Sequence, residues 1–181
     1  LGPGRANEHT DQHIIAGTED IAGQWAYGGR ELTHQEALSV GYLLDLDRME
    51  HGTEMVGKRE QWDYDKKEMI NIGEGPNHVF HVSLSLSPDE EALDDETWRK
   101  IAHDYVVEMG LIDTEDANCR WAAVRHGETK NGGDHIHVAI NLVREDGRPA
   151  QVPWYKVHSQ QVANVLEHRY GLEVLESREH N

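Results

Sequence analysis

Three stretches of the chain divide regularly into apolar and polar positions. From His135 onward, His135, His137, Ala139 and Asn141 fall on one side of a strand, while Ile136, Val138, Ile140 and Leu142 fall on the other. This two-residue repeat is that of a sheet with one greasy face. His78 to Leu86 divides the same way, with Phe80, Val82, Leu84 and Leu86 on the apolar side and Val79, His81, Ser83 and Ser85 opposite. After Asp94, a suitable N-cap, Trp98, Ile101, Ala102, Tyr105, Val106 and Met109 recur at helical spacing until Gly110. This predicts a helix whose stripe covers the apolar sheet face, with Tyr105 in the core.

Weaker signals fill in the rest. Thr33-His34-Gln35-Glu36 matches a capping box and predicts a helix carrying Ala37, Leu38 and Tyr42-Leu43-Leu44. The apolar run from Trp121 to Val124 ends at His126, and the turn-forming residues 127–134 fold it back beside the His135 strand. Asp146-Gly147 reads as a hairpin turn into a short strand near Ala150 to Val152, closed by Pro153. Ser159 is expected to cap a last helix carrying Val162, Val165, Leu166 and Tyr170, stopped by Gly171. Gly2 to Thr10 reads as a loop, Ile14-Ile15-Ala16 is too short to assign, and Leu172 to Leu175 is either an edge strand or loosely packed. Residues 52–77 are ambiguous: a solvated hairpin or loop, or an inserted flexible segment. The pattern as a whole predicts one α+β domain over residues 1–181, an antiparallel sheet with helices packed on one face and the other face open to a substrate.

The 181 residues suffice for a single sizeable core, and 37% hydrophobic content with five Trp and six Tyr fits a globular chain. There is no apolar stretch of membrane-spanning length and no secretory signal, so no membrane partner is expected. The sole cysteine, Cys119, reads as a packing residue, and a reducing, cytoplasmic compartment is the expectation. The chain begins at Leu1 rather than Met, so further residues are expected upstream.

A formal net charge of −17 argues against general polyanion binding, because the long-range field repels phosphates. A nucleic-acid role therefore rests on a local basic patch, a bound cation or stacking. Lys58, Arg59, Trp62, Tyr64, Lys66 and Lys67 mix bases with rings in a way that could line a single strand, but Glu60, Asp63, Asp65 and Glu68 among them suit a merely solvated segment equally.

The histidines carry the sharper signal. His135 and His137 project from one strand face roughly 7 Å apart along the backbone, and His126 on the preceding strand brings a third imidazole, with Glu128, Asp134 and Asn141 nearby. Three neutral nitrogens leave coordination positions open, the arrangement of a catalytic divalent metal; Mn²⁺, Mg²⁺ and Zn²⁺ are all compatible. The alternative is a plain polar strand face. His81, on the polar side of its own strand, is either an outer partner of the cluster or a simple strand histidine. Two other histidine enzymes fit poorly, since a cupin requires a Glu where Asn141-Leu142 stands and a histidine-triad hydrolase requires a His where Ala139 stands.

Arg125-His126-Gly127-Glu128 followed by Asp134-His135-Ile136-His137-Val138-Ala139-Ile140-Asn141 resembles the three-histidine motif of plasmid and conjugative-element mobilisation relaxases in the HUH endonuclease superfamily. Glu128 stands where Asp is usual. The opening Gly-Pro-Gly-Arg-Ala-Asn-Glu-His-Thr and the His81 to Leu86 strand with its Asp-capped helix also look like actinobacterial relaxases, so the resemblance covers most of the chain outside residues 52–77. It implies a metal-dependent, strand-specific DNA nickase acting at a transfer origin. By resemblance, a tyrosine attacks the scissile phosphate and retains the 5′ phosphate, His126, His135 and His137 hold the metal, and Glu128 or Asn141 orients ligands. The implied partners are single-stranded origin DNA, contacted by Arg5, Lys58, Arg59, Trp62, Arg125 and Lys130, and further relaxosome proteins. The nucleophile is expected upstream of Leu1, because none of Tyr27, Tyr42, Tyr64, Tyr105, Tyr155 or Tyr170 matches the family's tyrosine motif; His9 is a weak substitute. A non-catalytic relaxase-fold module that binds single-stranded DNA or a partner protein is the alternative.

Overall fold

The computed structural model describes residues 12–63, 66–128, 133–152 and 154–174. Arg5, His9, Tyr64, Lys130, Pro153, Leu175 and the loop assigned to Gly2 to Thr10 lie outside these residues, as do the side chains of Arg59, Trp62 and Glu128. The elements run β1 (His13–Gly17), α1 (Glu19–Trp25), α2 (His34–Leu44), α3 (Leu46–His51), β2 (Val56–Asp63), β3 (Glu68–Pro76), β4 (Val79–Ser85), α4 (Asp95–Glu108), β5 (Cys119–Glu128), β6 (Asp134–Arg144) and α5 (Tyr155–Tyr170).

The expected α+β architecture is present. β1, β5, β6 and β4, in that order, form an antiparallel sheet with the histidine-bearing strands at its centre. Ile136, Val138 and Ile140 of β6 pack with Trp98, Ile101, Tyr105 and Val106 of α4 and with Val162 and Leu166 of α5 in one buried core. Fully burying such a side chain stabilises the fold by about 1.5–3 kcal/mol. Asp94 caps α4 by accepting a hydrogen bond from the Thr97 amide at 2.7 Å, and Gly110, at φ +72°, adopts the left-handed conformation that stops it. The capping box of α2 forms as expected.

The opposite face is partly covered as well. Ile21 and Ala26, in and after α1, and Val40, Leu43 and Leu44 of α2 pack with Ile14, Ala122 and Val124 over the β1–β5 end. β1 itself, from the unassigned Ile14-Ile15-Ala16, is buried on both sides: Ile15 enters the α4 core and Ile14 the α1–α2 cluster. A strand covered on both faces has no polar alternation to show in its sequence.

Two expectations are corrected. No strand forms at Ala150 to Val152. After the Gly147 turn, the Arg148 carbonyl and the Ala150 amide bond to β6, and Val143 and Pro149 form an isolated bridge. Pro149 has no N–H with which to extend a ladder. Ser159 does not cap α5, which starts four residues earlier at Tyr155, after Trp154 at φ +54°; the Ser159 hydroxyl instead meets the Tyr105 hydroxyl at 2.8 Å. Within residues 52–77, β2 and β3 pair as a two-stranded ribbon with Lys58, Val56, Met69 and Ile72 exposed. Leu172 packs loosely against the core, and residues 172–174 form no strand.

Candidate metal centre

β5 and β6 place the three histidines by register. Val124 pairs with His137 and Arg125 with Ile136, after which a bulge sets Gly127 opposite His135 and leaves His126 as the extra residue. Gly127 takes φ +72°, which a side chain would strain, and its carbonyl accepts a hydrogen bond from His135 Nδ1 at 2.9 Å. The bulge thus both presents His126 and orients His135.

His126 and His135 are buried and His137 is half-buried. The ring centroids lie 4.3 Å apart for His126 and His137, 5.5 Å for His126 and His135, and 5.3 Å for His135 and His137. One ring nitrogen from each comes within 4.8 Å of the others, so among the described residues these three form a group able to hold a metal ion. With its Nδ1 proton given to Gly127, His135 keeps the Nε2 lone pair for a ligand, the usual division of labour in metal-binding imidazoles. The donor set therefore fits an open three-nitrogen site for a divalent ion.

His81 takes the outer-partner position. Its ring stacks on His137 at 4.9 Å, and its Nε2 lies 2.8 Å from His137 Nδ1. Burial lowers the pKa of His81, which favours the neutral ring, able to accept a hydrogen bond from His137 Nδ1 and so orient the His137 ring.

Other expected residues are placed elsewhere. Asn141 shares the histidines' strand face but donates from Nδ2 to Asp45 Oδ1 at 2.9 Å and accepts from the Val143 amide at 3.0 Å. It serves the junction of α2 and α3, where Asp45 also binds Arg48 and lies 3.5 Å from His78. Asp134, with a side chain only 1% exposed, faces α4 instead of the metal cluster. It accepts from Trp98 Nε1 at 2.7 Å, from the Leu93 amide at 3.2 Å and from Arg125 Nη2 at 2.9 Å. Arg125 is consequently not a free DNA contact: it also donates to Asp95 at 2.6 Å and to the Leu93 carbonyl at 2.6 Å. His13 Nε2 donates to the second oxygen of Asp95 at 2.8 Å. Burial opposes the charge of Asp95, yet its bonds to Arg125 and His13 hold the carboxyl below its ordinary range.

The Glu128 backbone pairs with Asp134 at the end of the ladder. Lys58 and the Arg59 and Trp62 backbones lie in β2, in the ribbon and outside the histidine-bearing sheet. Cys119 is buried with its thiol pushed up to about 11 by desolvation, a packing residue as expected. Sequence reading missed the Asp95–Arg125–Asp134 cluster and the Asp45–His78 pair. Face parity carried the first signal: on β6, Asp134 must share the side of Ile136, away from His135 and His137.

No helix among the described residues is long and apolar enough to cross a membrane. No curated protein and no solved structure was found to match the chain. Residues 28–172 match the family described as relaxase, MobA/VirD2-like, nuclease domain. That match spans α2 to α5, the ribbon and all three histidines, and the chain belongs to the MobA/VirD2-like relaxase nuclease-domain family.

Proposed function

We propose that this domain is a metal-dependent nickase that cuts one DNA strand at a transfer origin to start mobilisation. The observation that carries the reading is the convergence of His126, His135 and His137 on one sheet face, with the His135 and His137 rings oriented by Gly127 and His81. A divalent ion held there, Mn²⁺ or Mg²⁺ by preference and Zn²⁺ as an alternative, would supply Lewis-acid stabilisation of the charge on the scissile phosphate's non-bridging oxygens. On this reading a tyrosine hydroxyl forms the new bond to phosphorus, the bond to the 3′ oxygen breaks, and the 5′ phosphate stays on the protein. Tyr105 and Tyr170 are poor nucleophiles: burial raises the phenol of Tyr105, while burial and the Asp104 carboxylate push that of Tyr170 up to about 12. Arg5, Lys58, Arg59, Trp62 and Lys130 remain proposed DNA contacts, and Glu128 a proposed orienting group.

The experiment is a calorimetric Mn²⁺ titration of the chain beside His135→Ala and His137→Ala. One site per chain, lost in both variants, is expected. Equal weak binding in all three proteins overturns the metal reading and favours the second one, a non-catalytic module that binds single-stranded DNA or a partner protein, which the net charge of −17 also suits.

A further inference from the structure

The histidine-bearing face continues past His137 into a groove of about 300 Å³ at the junction of α2 and α3 with β4 and β6. Ala139 and Leu44 give it apolar walls, Gly41 leaves one side open, and Asp45, His78 and Asn141 put polar atoms into it. The volume lies at the lower end of the range for ligand pockets, roughly 300–1,000 Å³. Resting on the nickase reading, we infer that this groove receives a nucleobase of the bound DNA strand close to the scissile phosphate and selects bases that carry an exocyclic amino group.

Position is the first argument. Ala139 follows His137 on the same face of β6, and Val79 precedes His81 in the same way on β4, so the groove begins one strand repeat, about 7 Å, from the histidines. A strand advances about 3.4 Å per phosphate when stacked and further when its bases are splayed apart. A base one or two nucleotides from the cut therefore reaches the groove while its phosphate neighbours occupy the histidine site.

Chemistry selects the ligand. The carboxylate of Asp45 repels a phosphate, so the groove does not serve the backbone. Oδ1 of that carboxylate accepts from Arg48 Nε at 2.6 Å and from Asn141 Nδ2 at 2.9 Å, while Oδ2 accepts only from Arg48 Nη2 at 2.5 Å among the described hydrogen bonds. Each oxygen can accept about two hydrogen bonds, so Oδ2 retains capacity for an N–H donor. Adenine, cytosine and guanine bring such a donor on an exocyclic amine, whereas thymine offers only a ring N–H flanked by two carbonyl oxygens, which the carboxylate repels. The imidazole of His78 beside the Asp45 carboxylate adds a flat partner for the ring, and Leu44 and Ala139 an apolar one.

Fluorescence anisotropy with short deoxycytidine and deoxythymidine homo-oligomers, in the presence of Mn²⁺, tests the inference with two pyrimidines of like size. The parent chain is expected to hold deoxycytidine about tenfold more tightly. Gly41→Leu fills the groove from its helical wall, where an added Cβ meets no heavy atom within 4 Å and a leucine favours the helix. It is expected to abolish the preference while leaving Mn²⁺ affinity within about twofold, and Ala139→Leu, from the sheet side, is expected to do the same. Unaltered preference in both variants overturns the groove as the base site and leaves the nickase reading standing. Failure of the parent to bind either oligomer overturns the nickase reading itself, and the inference with it.

Discussion

Replacing Asp134 by alanine probes what holds the two histidine-bearing strands in register. The carboxylate is the common acceptor for the Trp98 indole, the Leu93 amide and one arm of Arg125, in a site where its own side chain is 1% exposed and that of Arg125 is 18% exposed. Without it, the buried Trp98 indole loses its partner, at about 1–3 kcal/mol, the half-buried Leu93 amide loses its own at a smaller cost, and Arg125 keeps only Asp95 and the Leu93 carbonyl. Breaking a buried ion pair from one side costs about 3–5 kcal/mol, and we take that as the expected loss. For a chain of this size each kcal/mol moves Tm by about 2–4 °C, so a fall on the order of 10 °C is expected by circular dichroism melting. The double variant Arg125→Met with Asp134→Leu, which replaces the pair by apolar groups of similar size, is expected to recover only the share due to the unpaired Arg125 charge, since the Trp98 indole and the Leu93 amide still lack their acceptor. Arg125 and Asp134 immediately precede His126 and His135 in the chain, so Asp134→Ala is also expected to weaken Mn²⁺ binding by about tenfold at a temperature where it remains folded. A loss below about 1 kcal/mol would refute the reasoning, because it would mean that the pair is solvated; Arg125 would then rejoin the DNA contacts.

Two further outcomes follow from the geometry. His81→Ala removes the acceptor for His137 Nδ1 and is expected to weaken Mn²⁺ binding about tenfold by calorimetry, without removing the site. Asp45 is held below its ordinary value of 3.8, chiefly by its hydrogen bonds to Arg48. Its stabilising contribution is therefore complete above that value and is lost as pH falls through the lower folded-state pKa; Arg48→Met is expected to flatten the acid limb of a urea-midpoint profile below about pH 4, by about 1 kcal/mol or less for so exposed a pair.

The parts of this molecule that sequence made legible are those with one dry face. β6, β4 and α4 each separate apolar from polar positions, and each formed where its period placed it. β1 is dry on both sides, so Ile14-Ile15-Ala16 carried no period at all. The start of α5 was hidden because no side chain caps it and Trp154 enters the helix from a left-handed conformation more usual for glycine. In the candidate site, the spacing of His126, His135 and His137 was enough to bring three rings together, because strand geometry is nearly constant. Arg125 and Asn141 were misleading for the opposite reason. Their charge and amide suit a phosphate or a ligand equally well on paper, and only the packing of α4 and of the α2–α3 junction reveals that both are already engaged.

The strand order has a consequence for how the site comes apart. His126, His135 and His137 stand on β5 and β6, each bonded to a neighbour on both sides, whereas His81 rides on β4, which among the described residues is bonded to β6 alone. Local opening in a sheet begins where fewest hydrogen bonds must break, so amide exchange is expected to be fastest along β4 and slowest along β5 and β6. Between those two thresholds lies a partly opened protein that keeps its three ligating rings but has released the ring that orients one of them. On the metal-site reading, an ion could still be held in that form, with the orientation of His137 no longer enforced. The three-histidine cluster and the ring that orients His137 thus lie in regions of different stability within one sheet.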